Sequence, residues 1–331
     1  MSDMGGLRFG SDTEPGIRRR GHQRFSYIDE RTGKPPGREH LERIRRLAVP
    51  PAWTNVWIAA DPDSHVQATG RDARGRKQYR YHPQFTEDRA SNKFADLRSF
   101  GLALGSLRAR VRRDLAADDL GYDQIVAVVV RLLDVTSLRV GNAEYAAANR
   151  SFGLTTLRNG HAVVRGSAIR FTFRGKSAHE FDVSVENPRL AKIVRRCQHL
   201  PGQPLFEYRT PTGDVRRIGS SDVNAYLSEY AGAGVTAKTF RTWNATVRAA
   251  SGLAQVAALD PEPRATRINE VIDDVAAMLG NTRAVCRKSY VHPAVIESYL
   301  DESLASRWSR RVGAKPNGIT VDERKVLRLL R

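Results

Sequence analysis

Between residues 163 and 185 the apolar side chains fall on every second position, in a chain whose other long apolar stretches repeat every three to four residues. Ile169, Phe171 and Phe173 alternate with polar neighbours, and Phe181, Val183 and Val185 do the same after Gly175-Lys176-Ser177-Ala178. Successive strand side chains point to opposite faces, so each run can bury only one of them. The pattern predicts a β-hairpin with Lys176 at its tip, set inside an otherwise helical region. A tip of this kind is mobile enough to bring a functional group onto a bound substrate.

The flanking sequence extends this picture. Residues 188–198, 220–231, 238–258, 264–279 and 293–304 read as helices, with Pro293 suited to a first helical position. Residues 125–133 are apolar enough for a buried helix, and residues 85–115 read as a long charged helical region broken near Gly101 and Gly105. The start of the chain differs. It is polar and rich in Gly and Arg up to about residue 21, then β-like: strands are predicted at 25–28, 56–58, 66–69 and 77–81, with a short amphipathic helix at 38–47. The fold class is therefore α+β, with a β-rich N-terminal domain over residues 1–88 and a mainly helical domain with a β-hairpin over 89–331.

Charge indicates the partner. The chain carries 54 Lys and Arg against 36 Asp and Glu, a formal net charge of +18, distributed over both predicted domains. Such an excess favours a polyanion, because neutralising phosphates releases counterions. Double-stranded DNA is the expected partner. The turn Gly70-Arg71-Asp72-Ala73-Arg74-Gly75-Arg76 offers several cations to a phosphate backbone, and in the strand that follows Lys77, Tyr79 and Tyr81 share one face while Gln78 and Arg80 share the other. No apolar run of about 18 residues and no signal peptide is read, so no membrane role and a cytoplasmic, nucleoid-facing location are expected. Cys197 and Cys286 lie far apart in no metal-like spacing, the histidines form none either, and no Gly-Lys-Ser/Thr phosphate loop is present. Asp61-Pro62-Asp63 reads as a loop, not as a pair of metal-binding carboxylates. No cofactor and no metal are expected.

Arg139, Lys176, Arg241 and Tyr290 are residue types that together can attack a phosphodiester without a metal. Guanidiniums neutralise charge on the non-bridging oxygens, a lysine protonates a leaving alkoxide, and a tyrosine oxygen can become bonded to phosphorus. Most of the chain's cations are arginines, which keep their proton; a lysine can release one, which suits Lys176 to proton transfer.

The run from Gly70 to Tyr81, then Leu138-Arg139-Val140-Gly141, Gly153-Leu154-Thr155-Thr156-Leu157-Arg158-Asn159, Gly175-Lys176 with His179-Glu180-Phe181, Lys238-Thr239-Phe240-Arg241-Thr242, and Gly280-Asn281-Thr282 with Tyr290 resembles the poxvirus-type, or small bacterial, type IB DNA topoisomerases. The resemblance runs from about residue 20 to residue 305. It implies a two-lobed clamp of a small β-rich domain and a helical catalytic domain like that of tyrosine recombinases, acting as a monomer on one duplex. It also implies relaxation of positive and negative supercoils through transient single-strand cleavage, without ATP or metal. Tyr290 would form a 3′-phosphotyrosyl link, Arg139 and Arg241 would hold the scissile phosphate, Lys176 would be the general acid, and Lys238 a supporting cation. Viral members carry histidine where this chain has Asn281, whose amide can still donate a hydrogen bond but cannot be cationic. Arg71, Arg74, Arg76, Lys77, Gln78, Tyr79 and Tyr81 are the candidate DNA contacts of the N-terminal domain. Two other classes draw on similar residues: a tyrosine recombinase or integrase, which usually has histidine where Lys238 stands, and a non-catalytic basic architectural protein.

Overall fold

The structure is a computed structural model, which describes residues 6–21, 24–73, 75–91, 94–257, 263–313 and 318–331. The chain divides into two compact units, residues 1–95 and 96–331. The predicted domain break at 88/89 falls within a helix of the first unit, Pro83–Ser91.

The first unit is built on five antiparallel strands. They are β1 (Ile17–Arg20), β2 (Ser26–Asp29), β3 (Thr54–Ile58), β4 (Val66–Arg71) and β5 (Lys77–Tyr81), in the order β2-β1-β3-β4-β5. Helix α1 (Arg38–Leu47) follows β2, and α2 (Pro83–Ser91) follows β5. Strand alternation and the helical stripe of α1 meet in one core: Ile17, Val56, Ile58 and Ala68 from the sheet against Ile44 from α1, edged by Tyr27, Leu47, Val49 and Trp53. The polar reading of the chain's start missed β1. Only Ile17 of Ile17-Arg18-Arg19-Arg20 is buried, so no alternation is legible there, yet this strand pairs with both β2 and β3.

The second unit is mainly helical. Its helices are α3 (Leu97–Asp114), α4 (Tyr122–Thr136), α5 (Ala143–Asn149), α6 (Pro188–Gln198), α7 (Ser220–Ala231), α8 (Ala237–Val256), α9 (Arg264–Leu279), α10 (Arg283–Ser289), α11 (Pro293–Leu300), α12 (Ser303–Ser309) and α13 (Val321–Leu329). Strands β6 (Ala162–Arg165), β7 (Ala168–Arg174) and β8 (Glu180–Glu186) form an antiparallel sheet, and β9 (Glu207–Arg209) pairs with β10 (Val215–Arg217). As the period-two pattern predicts, Ile169, Phe171, Phe173, Phe181 and Val185 are buried and the connection between β7 and β8 carries Lys176. The core centres on α4 and α8, which bury Ile125 to Val130, Leu132 and Leu133 on the one and Phe240, Trp243, Ala249, Ala250 and Leu253 on the other.

Two expectations are corrected here. Helix α3 starts at Leu97 and runs unbroken through Gly101 and Gly105, and α2 ends at Ser91. Gly101 is a packing residue: a Cβ there would come within 2.3 Å of the Trp243 ring and 2.8 Å of Leu327. Residues 293–304 are not one helix, because Asp301 ends α11 and Glu302, at φ 65°, turns the chain into α12. Among the described residues, no helix is long and apolar enough to cross a membrane.

Ile58 has no exposed surface and sits between the neighbouring strands and α1. Ile58→Ala is expected to destabilise the first unit by about 2–5 kcal/mol. Amide exchange in β1, β3 and β4 should accelerate accordingly while α4 and α8 stay protected.

Candidate active site

Arg139 leaves the end of α4 on a short extended segment, and its position is fixed by main-chain contacts with a second motif. Arg139 O accepts from Leu154 N at 2.9 Å, and Val140 O accepts from Thr155 N at 2.7 Å and from Thr155 Oγ1 at 2.9 Å. The blocks around residues 138–141 and 153–159 are thus one structural unit. Two glycines make the approach possible. Gly141 sits at φ 100°, where only glycine is unstrained, and a Cβ on Gly153 would lie 2.6 Å from Gly141 N and 2.7 Å from Arg139 O.

Arg241 comes from the first half of α8 and is almost fully buried, at 3% exposure. Its Nη1 donates to Ser137 O at 2.5 Å and its Nη2 to Leu279 O at 2.9 Å. Arg139 Nη2 donates to Asn281 Oδ1 and to Gly280 O, the latter at 3.4 Å. Tyr290 caps α10, with its N–H on Cys286 O at 2.9 Å, and its ring lies under the Arg241 guanidinium at 5.2 Å and near Lys238 Nζ at 6.0 Å. The turn that carries Lys176 is also tied in. A Cβ on Gly280 would lie 2.7 Å from both His179 and Phe181, so the residues after the turn rest on the Gly280-Asn281 corner.

Arg139, Lys176, Lys238, Arg241 and Tyr290 line one cleft of about 430 Å³, together with Tyr145, Ser151, Phe152 and backbone around Val140 to Asn142. Asn281 joins through its bond to Arg139. All six candidates of the second unit therefore meet in one place. By hydrogen-bond geometry, three of their donor groups are buried and have no acceptor among the described residues: Arg139 Nη1, Arg241 Nε and Asn281 Nδ2, the last lying close enough to the Cys286 thiol to act on it. A buried donor without a partner is destabilising.

The electrostatics agree. Burial pushes the Arg241 guanidinium down to about 10, helped by the like charge of Arg139. Burial also lowers Arg139. Burial would raise the Tyr290 phenol, but Arg241, through charge and hydrogen bonding, and then Lys238 and Arg139 outweigh it and hold the phenol below the ordinary tyrosine value. Burial raises the Cys286 thiol, which has no exposed surface, so this cysteine is a packing residue of the cleft floor.

Several residues of this arrangement carry no sequence signal. Thr246 has no exposed surface, donates to Tyr290 O and accepts from His292 N, both at 3.2 Å, and so fixes the main chain on either side of the tyrosine. Asn244 Nδ2 donates to Asp134 O at 2.8 Å and to Ser137 Oγ at 2.9 Å.

The N-terminal candidates lie on the β4–β5 hairpin of the first unit. Arg76 pairs with Asp72 at 2.7 Å, Gln78 Nε2 donates to the same carboxylate at 3.0 Å, and Arg71 Nη1 donates to Gly75 O at 2.8 Å. Lys77 pairs with Asp12 at 2.7 Å, and that contact raises its pKa. Tyr79 and Tyr81, 44% and 39% exposed, stack with centroids 5.8 Å apart and planes at 7°. Arg74 is outside the described residues.

Comparison with known proteins places this geometry in a family. Residues 82–312 match the catalytic core of eukaryotic DNA topoisomerase I, and residues 24–72 match the N-terminal domain of bacterial DNA topoisomerase IB. The chain is 32% identical to DNA topoisomerase 1B of Acanthamoeba polyphaga mimivirus over 267 residues, covering 78% of this chain and 80% of that one. It is 21% identical to DNA topoisomerase 1B of Vaccinia virus (strain Copenhagen) over 262 residues, 77% and 79% of the two chains. DNA topoisomerase 1 of Mycosarcoma maydis matches at 27% over 173 residues, 47% of this chain and 17% of that longer one. The chain belongs to the type IB DNA topoisomerases, of the small poxvirus and bacterial type. Its activity is that of a DNA topoisomerase, an isomerase whose substrate is DNA.

The close approach of Gly153 to backbone atoms leaves no room for a side chain, whereas Gly160 has nothing near it. Gly153→Ala is expected to cost about 1–3 kcal/mol of stability and to slow DNA relaxation by displacing Arg139. Gly160→Ala should leave both unchanged, as thermal unfolding and plasmid relaxation would report.

Proposed function

We propose that the cleft of the second unit cleaves and rejoins one strand of a duplex through Tyr290, and that the protein relaxes both positive and negative supercoils in this way without ATP or a metal ion. The observation that carries this reading is the convergence of three unpartnered buried donors, on Arg139, Arg241 and Asn281, beside a tyrosine whose phenol is made more acidic by the same cations. A phosphodiester transition state spreads charge over its non-bridging oxygens, and donors fixed in advance stabilise it without reorganising.

In the cleavage step Tyr290 Oη gives its proton to solvent water and its oxygen bonds to phosphorus. The bond from phosphorus to the 5′ oxygen breaks, and Lys176, from the β7–β8 turn, gives that oxygen a proton. The product is a 3′-phosphotyrosyl link and a free 5′ hydroxyl. Lys238 supports the charge and helps keep the phenol acidic. Because the phosphotyrosyl bond retains the energy of the diester, the same groups in reverse reseal the strand, with no external energy source. Arg139 and Arg241 hold the non-bridging oxygens throughout, and Asn281 adds a neutral donor in place of a cation.

We assign the exposed face of β5 to duplex binding. Tyr79 and Tyr81 present a stacked aromatic pair, flanked by Lys77 and by the cationic turn before it. Lys77 and Arg76 already have carboxylate partners, so their phosphate contacts require exchange of Asp12 and Asp72 for phosphate. These contacts position the duplex without specifying bases. The protein acts as a monomer on one duplex.

Plasmid relaxation in EDTA without ATP tests the reading. The parent should relax both signs of supercoil and leave a protein-linked 3′ end, and Tyr290→Phe should do neither. Arg241→Ala or Arg139→Ala should slow cleavage by about 10²–10³, and Lys176→Ala by roughly 10²–10⁴. A parent that binds DNA but never forms the Tyr290 adduct would rule the mechanism out.

The pH dependence gives a second test. With the phenol below its ordinary value in the free protein, cleavage should rise with pH through an inflection under about 10. Lys238→Met removes a charge that favours the phenolate, so its inflection should move upward in single-turnover cleavage. An unmoved inflection would remove Lys238 from the electrostatics of Tyr290.

A further inference from the structure

The carbonyl that holds Arg241 Nη1 belongs to Ser137, the left-handed cap that ends α4 at φ 57°. One mostly buried arginine is tied to the last turn of α4 before that cap. Arg108, from α3, donates to Asp134 of α4 through Nε at 2.9 Å and Nη2 at 2.7 Å, and to Glu323 of α13 through Nη1 at 2.8 Å and Nη2 at 2.7 Å. Asp134 stands three residues before Ser137, also accepts from Arg131 Nη1 at 2.6 Å, and gives its main-chain oxygen to Asn244 of α8. Asn244 also holds the Ser137 hydroxyl, one turn along α8 from Arg241.

Glu323 is nearly fully buried and its acceptor capacity is filled. It receives Arg108 twice, Trp243 Nε1 of α8 at 3.2 Å, and Thr320 N at 2.7 Å, while Thr320 Oγ1 accepts from Glu323 N at 3.2 Å to complete a capping box. Ser251 Oγ, further along α8, donates to Asp322 at 2.8 Å. Leu327 of α13 and Trp243 close over Gly101 of α3. Helix α13 thus meets α3 and α8 directly and α4 through Arg108. It also lies beyond residue 312, where the match to the catalytic-core family ends.

We infer that α13 is a positioning element of the phosphate site: Glu323 holds Arg108, Arg108 holds Asp134 at the end of α4, and the Ser137 cap so fixed presents its carbonyl to Arg241. The inference rests on the proposed role of Arg241 at the scissile phosphate. Glu323, Arg108 and Asp134 do not touch DNA in this scheme. They act through the carbonyl of Ser137, which is why their effect belongs to the chemical step and not to affinity. Removing Glu323 leaves a mostly buried Arg108 with Gly318 O and with Asp134, a carboxylate it shares with Arg131, as its acceptors, so the pull on the end of α4 changes with it. A guanidinium displaced by a fraction of an ångström in a transition-state site loses much of its effect.

The experiment separates position from stability. Glu323→Gln, Glu323→Ala and the triple variant Arg108→Met, Asp134→Leu, Glu323→Leu are compared with the parent in single-turnover cleavage, DNA binding in a Tyr290→Phe background, and thermal unfolding. Replacing a buried charged triad by apolar side chains of similar size often preserves stability, so the triple variant removes the charged network while keeping the helix docked. The expected result is cleavage slower by roughly 10- to 100-fold in Glu323→Ala and the triple variant at temperatures where both are folded. DNA affinity should be unchanged, and the cleavage inflection should move to higher pH as Arg241 withdraws from Tyr290. Glu323→Gln, which keeps a hydrogen-bond acceptor for Arg108, should fall between. Parental cleavage rates and inflection in a folded Glu323→Ala, or slowing that follows the loss of thermal stability alone, would overturn the inference and leave the Tyr290 mechanism intact. A parent that forms no Tyr290 adduct would overturn both.

Discussion

A buried guanidinium with no carboxylate beside it governs the catalytic unit. Arg241 is held by two main-chain carbonyls, Ser137 O from the end of α4 and Leu279 O from the end of α9. Both are C-terminal ends of long helices, whose unpaired carbonyls carry partial negative charge. That compensates the cation without cancelling it, as burial still pushes the group down to about 10. A carboxylate partner would have made the guanidinium easier to bury, and it would also have repelled any anion in the cleft. Among the described residues, the leading charge effects on Arg139 and Arg241 come from Tyr290, Cys286, Tyr145 and Arg139, and not from an aspartate or glutamate. The fold therefore carries a local excess of positive charge where the ends of α4 and α9 meet the first half of α8.

The same requirement explains which parts of the fold were legible in the sequence. Helices α6, α7 and α9 fall at the boundaries predicted for them, and the β7–β8 hairpin follows from alternating Ile, Phe and Val. These elements each have an apolar face. Strand β1 was illegible because three of its four residues are arginines, and it is a strand only because β2 and β3 flank it on both sides. The unbroken α3 was misread for the opposite reason. Gly101 has low helix propensity, but a missing side chain is what lets the Trp243 ring reach the helix backbone. Propensity is local, and that contact joins residues more than a hundred positions apart.

The candidate site was legible as chemistry and not as architecture. Residue types point to Arg139, Lys176, Arg241 and Tyr290, the family resemblance adds Lys238 and Asn281, and the structure gathers them around one cleft. What holds them there was invisible. Ser137 and Leu279 contribute main-chain oxygens, whose identity no side chain records. Thr246 and Asn244 are short polar residues in a helix that already had an apolar stripe, so each reads as solvated surface until its partners are known. The glycines of the motifs are better signals. Gly141 and Gly153 occupy each other's Cβ space, and Gly280 makes room for His179 and Phe181. These contacts bring four separated sequence blocks together in two pairs.

Asn281 illustrates how a neutral group can be made to act in one direction. Its Oδ1 accepts from Arg139 Nη2, so the amide cannot be reversed without pointing its own N–H donors at a guanidinium that has only donors to offer. The orientation is fixed by its cationic neighbour, and Nδ2 is left as the unpartnered end. An imidazole at this position would face the same guanidinium and would have to accept through one ring nitrogen to donate through the other, which keeps it neutral. The two residue types therefore converge on one function beside Arg139: one acceptor turned to the arginine, one donor turned away from it. The positive charge of the site then rests on Arg139, Arg241, Lys238 and Lys176, and the amide contributes direction without charge.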